Sequence, residues 1–191
     1  MVCTGNINRS PLGEALLRDR LAARGVEASV SSAGTRATGG PAAAEVVEIL
    51  ADLGLDGTAH VSRPLTPELV GGADLVLGMA REHVREAVVA CPTAFDRSFT
   101  LKELARRAGD AGPRGGDEPV DAWLARLGAG RSLQDLLGAG ELDDVADPIG
   151  KRRAAFDRCA AEIAALVDEV VPLLAPAAAP LPTSPHRPGG R

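Results

Sequence analysis

The stretch 3–11, which reads CTGNINRSP, carries the strongest structural and chemical information in this sequence. It places a cysteine before a short loop, an arginine after the loop, and a proline where a helix can begin. Loop N–H groups beside a helix N-terminus attract an oxyanion, because the helix dipole is positive there. Gly5 removes side-chain bulk, and Asn6 is a residue type that tolerates a left-handed backbone. The stretch therefore predicts a cradle for a phosphate-like anion.

Side chains in and beyond this stretch indicate how the anion reacts. The guanidinium of Arg9 offers a planar fork of donors that matches two phosphate oxygens. The positive surroundings favour the thiolate form of Cys3, and a thiolate below a bound oxyanion can attack phosphorus. A phosphate ester also needs an acid to protonate its leaving oxygen. Asp143, Asp144 and Asp147 are candidates for this acid, and capping of the next helix is an equally open role for them.

The other two cysteines do not fit this chemistry. Cys91 precedes Arg97 by six residues, the same spacing as in the first loop. That segment lacks glycine, Pro92 has no N–H to donate, and Asp96 would repel an anion, so we expect Cys91 to be structural or incidental. Cys159 lies on the apolar stripe of a predicted helix and is expected in the core.

Strands and helices alternate along the chain. Helices are predicted over residues 11–24 (capped by Ser10), 41–53, 81–90, 120–127, 132–137 and 152–174, and strands over 28–32, 73–79 and 94–100. This alternation indicates an open, mostly parallel α/β sheet flanked by helices. Only two residues precede Cys3, so the first strand is truncated: either the sheet lacks a member, or the true start lies upstream. We expect one domain over 1–174 and a disordered Ala/Pro-rich tail over 175–191.

Composition excludes several classes of protein. The chain has 191 residues, a net charge of −5, three cysteines, four aromatic residues and no tyrosine. An acidic, aromatic-poor chain is a poor candidate for nucleic-acid binding, and a tyrosine nucleophile is impossible. No signal peptide or membrane span is predicted. An odd cysteine count at low density favours a reducing compartment, and we expect a cytoplasmic protein with no membrane or nucleic-acid partner.

Residues 2–11 closely resemble the active-site loop of the low-molecular-weight protein tyrosine phosphatases. The resemblance continues, in the family's order, through the segment 32–35, His60 with Arg63, the 73–79 strand and Asp147 with the proline after it. It implies a four-stranded parallel sheet and hydrolysis of a phosphorylated protein or a small aryl phosphate in two steps. It also implies that no metal or cofactor takes part.

The resemblance implies a role for each matching residue. Cys3 forms a phosphocysteine, Arg9 holds the phosphoryl oxygens, and Asp147 first protonates the leaving phenolate and then activates water. The phosphate-binding residues are Thr4, Gly5, Asn6, Ile7, Asn8, Arg9 and Ser10. Asn6, Ser10, Ser32 and His60 match positions whose hydrogen bonds hold the loop in shape.

Some positions depart from the family pattern. Asn8 stands where many relatives carry a second cysteine, which removes disulfide protection of Cys3. Ile149 stands where relatives with tyrosine specificity often have an aromatic residue, and an aliphatic rim stacks a phenol ring less well. The connection over 109–140 is longer than usual and is a candidate lid or partner surface.

Two alternatives to a protein-tyrosine phosphatase remain open from the sequence. One is a thiol-dependent arsenate reductase on the same scaffold, because arsenate has the shape of phosphate and Cys3 could attack arsenic. The other is an inactive or truncated phosphate-binding relative, because a loop without a full preceding strand has less anchorage. The physiological substrate and the oligomeric state are also open at this point.

Overall fold

The computed structural model describes residues 1–137, 140 and 142–176. The strands are β1 (Val2–Cys3), β2 (Ala33–Gly34), β3 (Val76–Gly78) and β4 (Ser98–Thr100). The helices are α1 (Arg9–Ala23), α2 (Ala44–Asp52), α3 (Pro67–Gly71), α4 (Arg81–Ala90), α5 (Leu101–Ala111), α6 (Val120–Leu127) and α7 (Arg153–Leu174). In the described residues no helix is both long and apolar enough to cross a bilayer. The tail predicted over 175–191 lies outside the described residues from position 177 onward.

The four strands form one parallel sheet in the order β2-β1-β3-β4. This arrangement confirms the expected four-stranded α/β architecture. Although β1 has only two residues, it pairs with both neighbours: Val2 lies opposite Ala33 on one side and Gly78 on the other. The sheet therefore does not lack its central member, and the alternative that a member is missing was wrong.

Several predicted boundaries are corrected by the pairing of the strands. The strand expected at 28–32 is absent, and β2 lies just after it because pairing begins opposite Val2. The first half of the segment 94–100 is part of the 3₁₀ turn Pro92–Arg97 rather than strand, and only its last three residues form β4. A helix, α5, begins directly after β4 and was not predicted. The Thr100 hydroxyl starts that helix by accepting a hydrogen bond from the Glu103 amide at 3.0 Å.

Alternation along the short strands separates two apolar layers. Val2 and Val76 belong to a buried cluster on the side of α3 and α4. Cys3 and Leu77 point to the opposite face and join the larger core, which includes residues of α1, α2, α5, α6 and α7. Since side chains of a strand alternate between faces, the sheet is buried on both sides, as its apolar sequence predicted.

The long connection between α5 and α7 is packed onto the body of the protein where it is described. Trp123 on α6 is fully buried, and its indole N–H donates to the Gly112 carbonyl at 3.2 Å. The Arg131 side chain is 1 % exposed and lies over the Phe99 ring, 4.0 Å from its centroid. It also donates to the Ser98 carbonyl at 2.6 Å and pairs with Glu103 at 2.9 Å. One guanidinium thus ties this connection to β4 and to the first turn of α5.

Candidate active site

The predicted loop lies where parallel strands β1, β2 and β3 end. Carboxyl ends of strands in such sheets form the usual binding crevice, because the connecting loops leave a cleft there. Cys3 ends β1, and the backbone then passes through residues 4–8 into α1, which begins at Arg9. The helix begins two residues earlier than the sequence predicted, and Arg9 is therefore fixed in its first turn.

The carbonyl groups of the loop are bound to the surrounding scaffold. They accept hydrogen bonds as follows: Cys3 from Thr35 N at 3.0 Å, Thr4 from Arg36 N at 2.8 Å, Asn6 from His60 Nε2 at 2.7 Å, and Ile7 from Ala43 N at 3.0 Å. The N–H and C=O of a trans peptide point in opposite directions. The loop amides between these carbonyls therefore turn toward the inside of the loop, where an oxyanion can collect them.

Asn6 organises the interior of the loop. It has a positive φ of 54°, in the left-handed region that its residue type tolerates, and it is fully buried. Its amide Nδ2 donates to Ser10 Oγ at 2.9 Å and to Ser32 Oγ at 2.7 Å, while its Oδ1 accepts from the Arg63 backbone N–H at 3.0 Å. Asn6, Ser10, Ser32 and His60 thus make hydrogen bonds with one another or with the loop backbone.

Two donors point at the Cys3 sulfur. Ser10 Oγ lies 3.0 Å from Sγ, and the Asn6 backbone N–H donates to it at 3.2 Å. Because Ser10 Oγ already accepts from Asn6, its own proton is available to the sulfur. The Cys3 sulfur is therefore held by two hydrogen-bond donors at the base of the loop. Ser10 lies inside α1 and does not cap it, which corrects the sequence expectation.

Arg9 links the loop to a distant acid. Its guanidinium donates to the Asp147 carboxylate at 2.5 Å and to the Val145 carbonyl at 3.1 Å. Arg9 is 5 % exposed, whereas the Asp147 side chain is 34 % exposed and reaches solvent at the mouth. The Ile149 N–H donates to the other Asp147 oxygen at 3.1 Å and helps to fix the carboxylate.

The two neighbouring acids are engaged elsewhere. Asp143 pairs with Arg81 at 3.0 Å and with Arg106 at 3.1 Å. Asp144 accepts from the Arg81 backbone N–H at 2.8 Å, at the start of α4. Of the three acids that the sequence left open, only Asp147 reaches the loop.

The remaining loop residues line the cradle in different ways. Among the described residues other than its two chain neighbours, a Cβ on Gly5 would meet only Ile7 within 4 Å, at an ordinary contact distance of 3.4 Å. Asn8 is 5 % exposed, and its Oδ1 has no hydrogen-bond partner among the described residues. The Thr4 side chain is half-buried and contacts the ring of His83 at 3.0 Å.

The other cysteines are placed as the sequence indicated. Cys91 ends α4, and the residues after it form a 3₁₀ turn rather than an open loop. Arg97 is used structurally, because it donates to the carbonyls of Ala73 at 2.8 Å and Thr93 at 2.8 Å. Cys159 is 4 % exposed on α7, where burial raises the pKa of its thiol to about 12.

Sequence reasoning missed three residues that shape the site. Gly34 lies so close to the loop that a Cβ there would be 2.6 Å from the Thr4 carbonyl oxygen. Glu14 accepts from Ser32 Oγ at 2.5 Å and completes the chain that starts at Asn6. His83 lies 1 % exposed in the first turn of α4. Gly34 lies in the segment 32–35 that carries the family resemblance, and His83 follows a buried parallel strand at its carboxyl end, whereas no comparable signal marks Glu14.

Comparison with known proteins identifies one family. The family model described as low molecular weight phosphotyrosine protein phosphatase matches residues 1–113. The protein-arginine-phosphatase of Bacillus subtilis (strain 168) is 42 % identical over 103 residues, which cover 53 % of this chain and 68 % of that protein. The probable low molecular weight protein-tyrosine-phosphatase EpsP of Ralstonia solanacearum is 43 % identical over 105 residues, covering 54 % and 70 %.

A similar structure has been solved for a relative with a modified active site. It is a YwlE arginine phosphatase in which the cysteine is mutated to serine and the active-site serine is phosphorylated. The TM-score is 0.66 with 29 % identity, and the superposition covers 88 % of this chain and 90 % of the other.

Proposed function

Because the chain belongs to the low molecular weight phosphotyrosine protein phosphatase family, we propose that it dephosphorylates phosphotyrosine in proteins, or small aryl phosphates, with Cys3 as its nucleophile. It is a hydrolase, and phosphatase chemistry through a cysteine is what its relatives support. The observation that carries the assignment of residues is the contact of Arg9 with Asp147 beside the Cys3 loop, at 2.5 Å.

The first step transfers the phosphoryl group to sulfur. The substrate phosphate enters the loop, where the backbone N–H groups of residues 4–10 and the Arg9 guanidinium hold its nonbridging oxygens. The Cys3 thiolate attacks phosphorus, an S–P bond forms, and the bond from phosphorus to the phenolic oxygen breaks. Protonated Asp147 gives its proton to that oxygen, so a neutral phenol leaves.

The second step returns the enzyme to its starting state. Asp147, now a carboxylate, removes a proton from a water molecule whose oxygen attacks phosphorus. The S–P bond breaks, and the electron pair returns to Cys3 as a thiolate. Inorganic phosphate is released, so the balance is one ester and one water consumed for one phenol and one phosphate. Asn6, Ser10, Ser32 and His60 keep the loop in shape during both steps.

The rim of the site supports an aromatic substrate held by apolar contact. Val61 follows His60 and is 68 % exposed, and Ile149 follows the Asp147 loop and is 59 % exposed. Because each of them lies within two residues of a side chain that contacts the loop or Arg9, we infer that these aliphatic side chains are available at the mouth. They can contact a phenyl ring but offer no aromatic stacking.

A protein-arginine phosphatase is the second candidate function, and the relative from Bacillus subtilis favours it. Arsenate reduction is not favoured, since the family and the relatives described above are phosphatases by name. An inactive relative is also not favoured, because β1 and four loop carbonyls anchor the loop.

The proposal includes a cellular setting. We take residues 1–174 as the catalytic unit, acting on phosphorylated protein or a small aryl phosphate and not on nucleic acid or membranes. A reactive thiolate requires a reducing compartment, and Cys3, Cys91 and Cys159 are all unpaired, so the proposed location is the cytoplasm.

The test compares three substrates and two cysteine variants. Purified protein is assayed with para-nitrophenyl phosphate, a phosphotyrosyl peptide and a phosphoarginyl peptide of the same sequence. We expect the highest kcat/KM on the phosphotyrosyl peptide; a higher value on the phosphoarginyl peptide would establish the second candidate instead. Cys3→Ser should abolish turnover and, on incubation with substrate, gain the mass of one phosphoryl group. Cys91→Ser, which removes the cysteine with matching spacing, should remain active, and turnover by Cys3→Ser would contradict the assignment.

A further inference from the structure

A buried histidine contacts the phosphate loop without a role in the mechanism described so far. His83 lies at the start of α4, just beyond the carboxyl end of β3, with 1 % of its side chain exposed. Its Nε2 lies 3.0 Å from the Thr4 hydroxyl oxygen. Its Nδ1 is buried and has no hydrogen-bond partner among the described residues. In the mechanism above, Thr4 binds phosphate only through its backbone.

The ring of His83 is neutral at neutral pH. Burial, and to a smaller extent the charge of Arg9, lower its pKa to about 4. A neutral imidazole carries one proton, which can sit on either nitrogen. The Glu82 carboxylate lies 3.4 Å from Nε2, and a negative charge there favours the proton on Nε2. In this tautomer Nε2 donates to the Thr4 oxygen, and the unpartnered Nδ1 is an acceptor.

The same Thr4 oxygen has a second donor. Arg9 Nη2 lies 3.5 Å from it, at the tip of the guanidinium that also contacts Asp147. A hydroxyl oxygen has two lone pairs and one proton. With one lone pair facing His83 and the other facing Arg9, the Thr4 proton can point at neither of them. The Thr4 hydroxyl can therefore donate its proton to a further acceptor. Its side chain is half-buried and lies beside the Arg9 guanidinium, which binds the phosphoryl oxygens.

We propose that the Thr4 hydroxyl donates a hydrogen bond to a phosphoryl oxygen of the substrate and that neutral His83 is the positioning residue that orients it. The inference rests on the proposed function, because it assigns a further contact in the same phosphate site. It adds a side-chain donor to a cradle otherwise built from backbone amides and Arg9. Such a donor contributes most where charge develops on the oxygens in the transition state.

The experiment removes the hydroxyl and its partner separately and together. Steady-state kinetics with para-nitrophenyl phosphate and inhibition by inorganic phosphate are measured for Thr4→Val, Thr4→Ser, His83→Leu, His83→Gln and the Thr4→Val/His83→Leu pair. Thr4→Val should lower kcat/KM by roughly 10- to 100-fold, at or below the lower end of the range found for loss of a single oxyanion donor, and should weaken phosphate inhibition. Thr4→Ser keeps the hydroxyl and should retain most activity.

The histidine variants separate positioning from simple packing. His83→Leu should cause a loss similar to that of Thr4→Val, and the double variant should be no worse than Thr4→Val alone, because both changes remove one interaction. His83→Gln retains a neutral N–H donor and should restore part of the activity lost in His83→Leu. Thr93→Val, at an exposed threonine far from the loop in sequence, serves as the matched control. Thermal unfolding of each variant reports any loss of folded protein.

Independent losses in the double variant, or full activity and phosphate affinity in Thr4→Val, would overturn the inference. A lowered melting temperature with unchanged kcat/KM for the folded protein would also overturn it, since that pattern indicates packing alone. If wild-type protein hydrolyses none of the phosphate esters, the proposed function fails. In that case calorimetry measures the affinity of wild type and Thr4→Val for inorganic phosphate, and Thr4→Val should still bind phosphate more weakly.

Discussion

Replacement of Gly34 by alanine tests how closely β2 supports the phosphate loop. A Cβ at this position would lie 2.6 Å from the Thr4 carbonyl oxygen and 2.9 Å from the Asn6 backbone nitrogen. The first distance is about 0.8 Å shorter than an ordinary van der Waals contact. Both obstacles are backbone atoms of the loop, so no side-chain rotation can relieve the clash. The loop, β2 or both must move.

The expected cost has two parts. Overpacking of a buried site destabilises a protein by about 1–3 kcal/mol. A loop displaced by a large fraction of an ångström also loses its alignment with the reacting phosphorus, and misplacement by about 1 Å can lower a rate by roughly 100-fold. We therefore expect Gly34→Ala to lower kcat/KM by roughly 100-fold. The free energy of unfolding should fall by about 1–3 kcal/mol.

The assay combines kcat/KM on para-nitrophenyl phosphate with the free energy of unfolding from urea titration. Gly116→Ala is the matched control, because a Cβ there meets no atom within 4 Å and its φ is not in the left-handed region. The control should match wild type in both measurements. Wild-type kcat/KM in Gly34→Ala would refute the reasoning that the loop is held by close contact with β2.

Three further perturbations follow from the structure. Asp147→Asn should lower kcat by about 100-fold for aryl phosphates with weakly acidic phenols, which need the proton, and much less for para-nitrophenyl phosphate; equal losses across a leaving-group series would contradict the acid role. As the pH falls from 6.5 toward 4, His83 takes up a proton in the unfolded chain before it does so in the folded protein, where it is buried. The free energy of unfolding should therefore decrease by up to about 3 kcal/mol over this range. Urea titrations at each pH measure this decrease, and His83→Gln should make it smaller. Arg131→Met should cost about 3 kcal/mol of unfolding free energy by leaving Glu103 with fewer partners, while kcat stays near wild type; an unchanged urea midpoint would show that the guanidinium adds no stability.

Local patterns in the sequence predicted what depends on neighbouring residues. The helix over 81–90 follows from short-range chemistry and is confirmed, and Asn6 adopts the left-handed backbone that its residue type tolerates. The Cys3 loop could be recognised because its cysteine, small residues, arginine and helix start lie within nine consecutive positions.

Features that depend on contacts between residues far apart in the sequence could not be predicted from local patterns. The position of β2 follows from its register with Val2, and the closeness of Gly34 to the loop follows from that register. Ser10 is a residue type that often caps helices, yet its hydroxyl contacts the Cys3 sulfur, because Asn6 donates a hydrogen bond to it from inside the loop. The choice of Asp147 over its two neighbours required knowing where Arg81 and Arg106 lie.

The placement of Trp123 has a spectroscopic consequence. It is the single tryptophan of a chain without tyrosine, so intrinsic ultraviolet emission comes almost entirely from one buried indole. That indole lies in α6, in the connection between α5 and α7, and its N–H is bound to the Gly112 carbonyl. Fluorescence of the native protein therefore reports whether this connection is docked on the core.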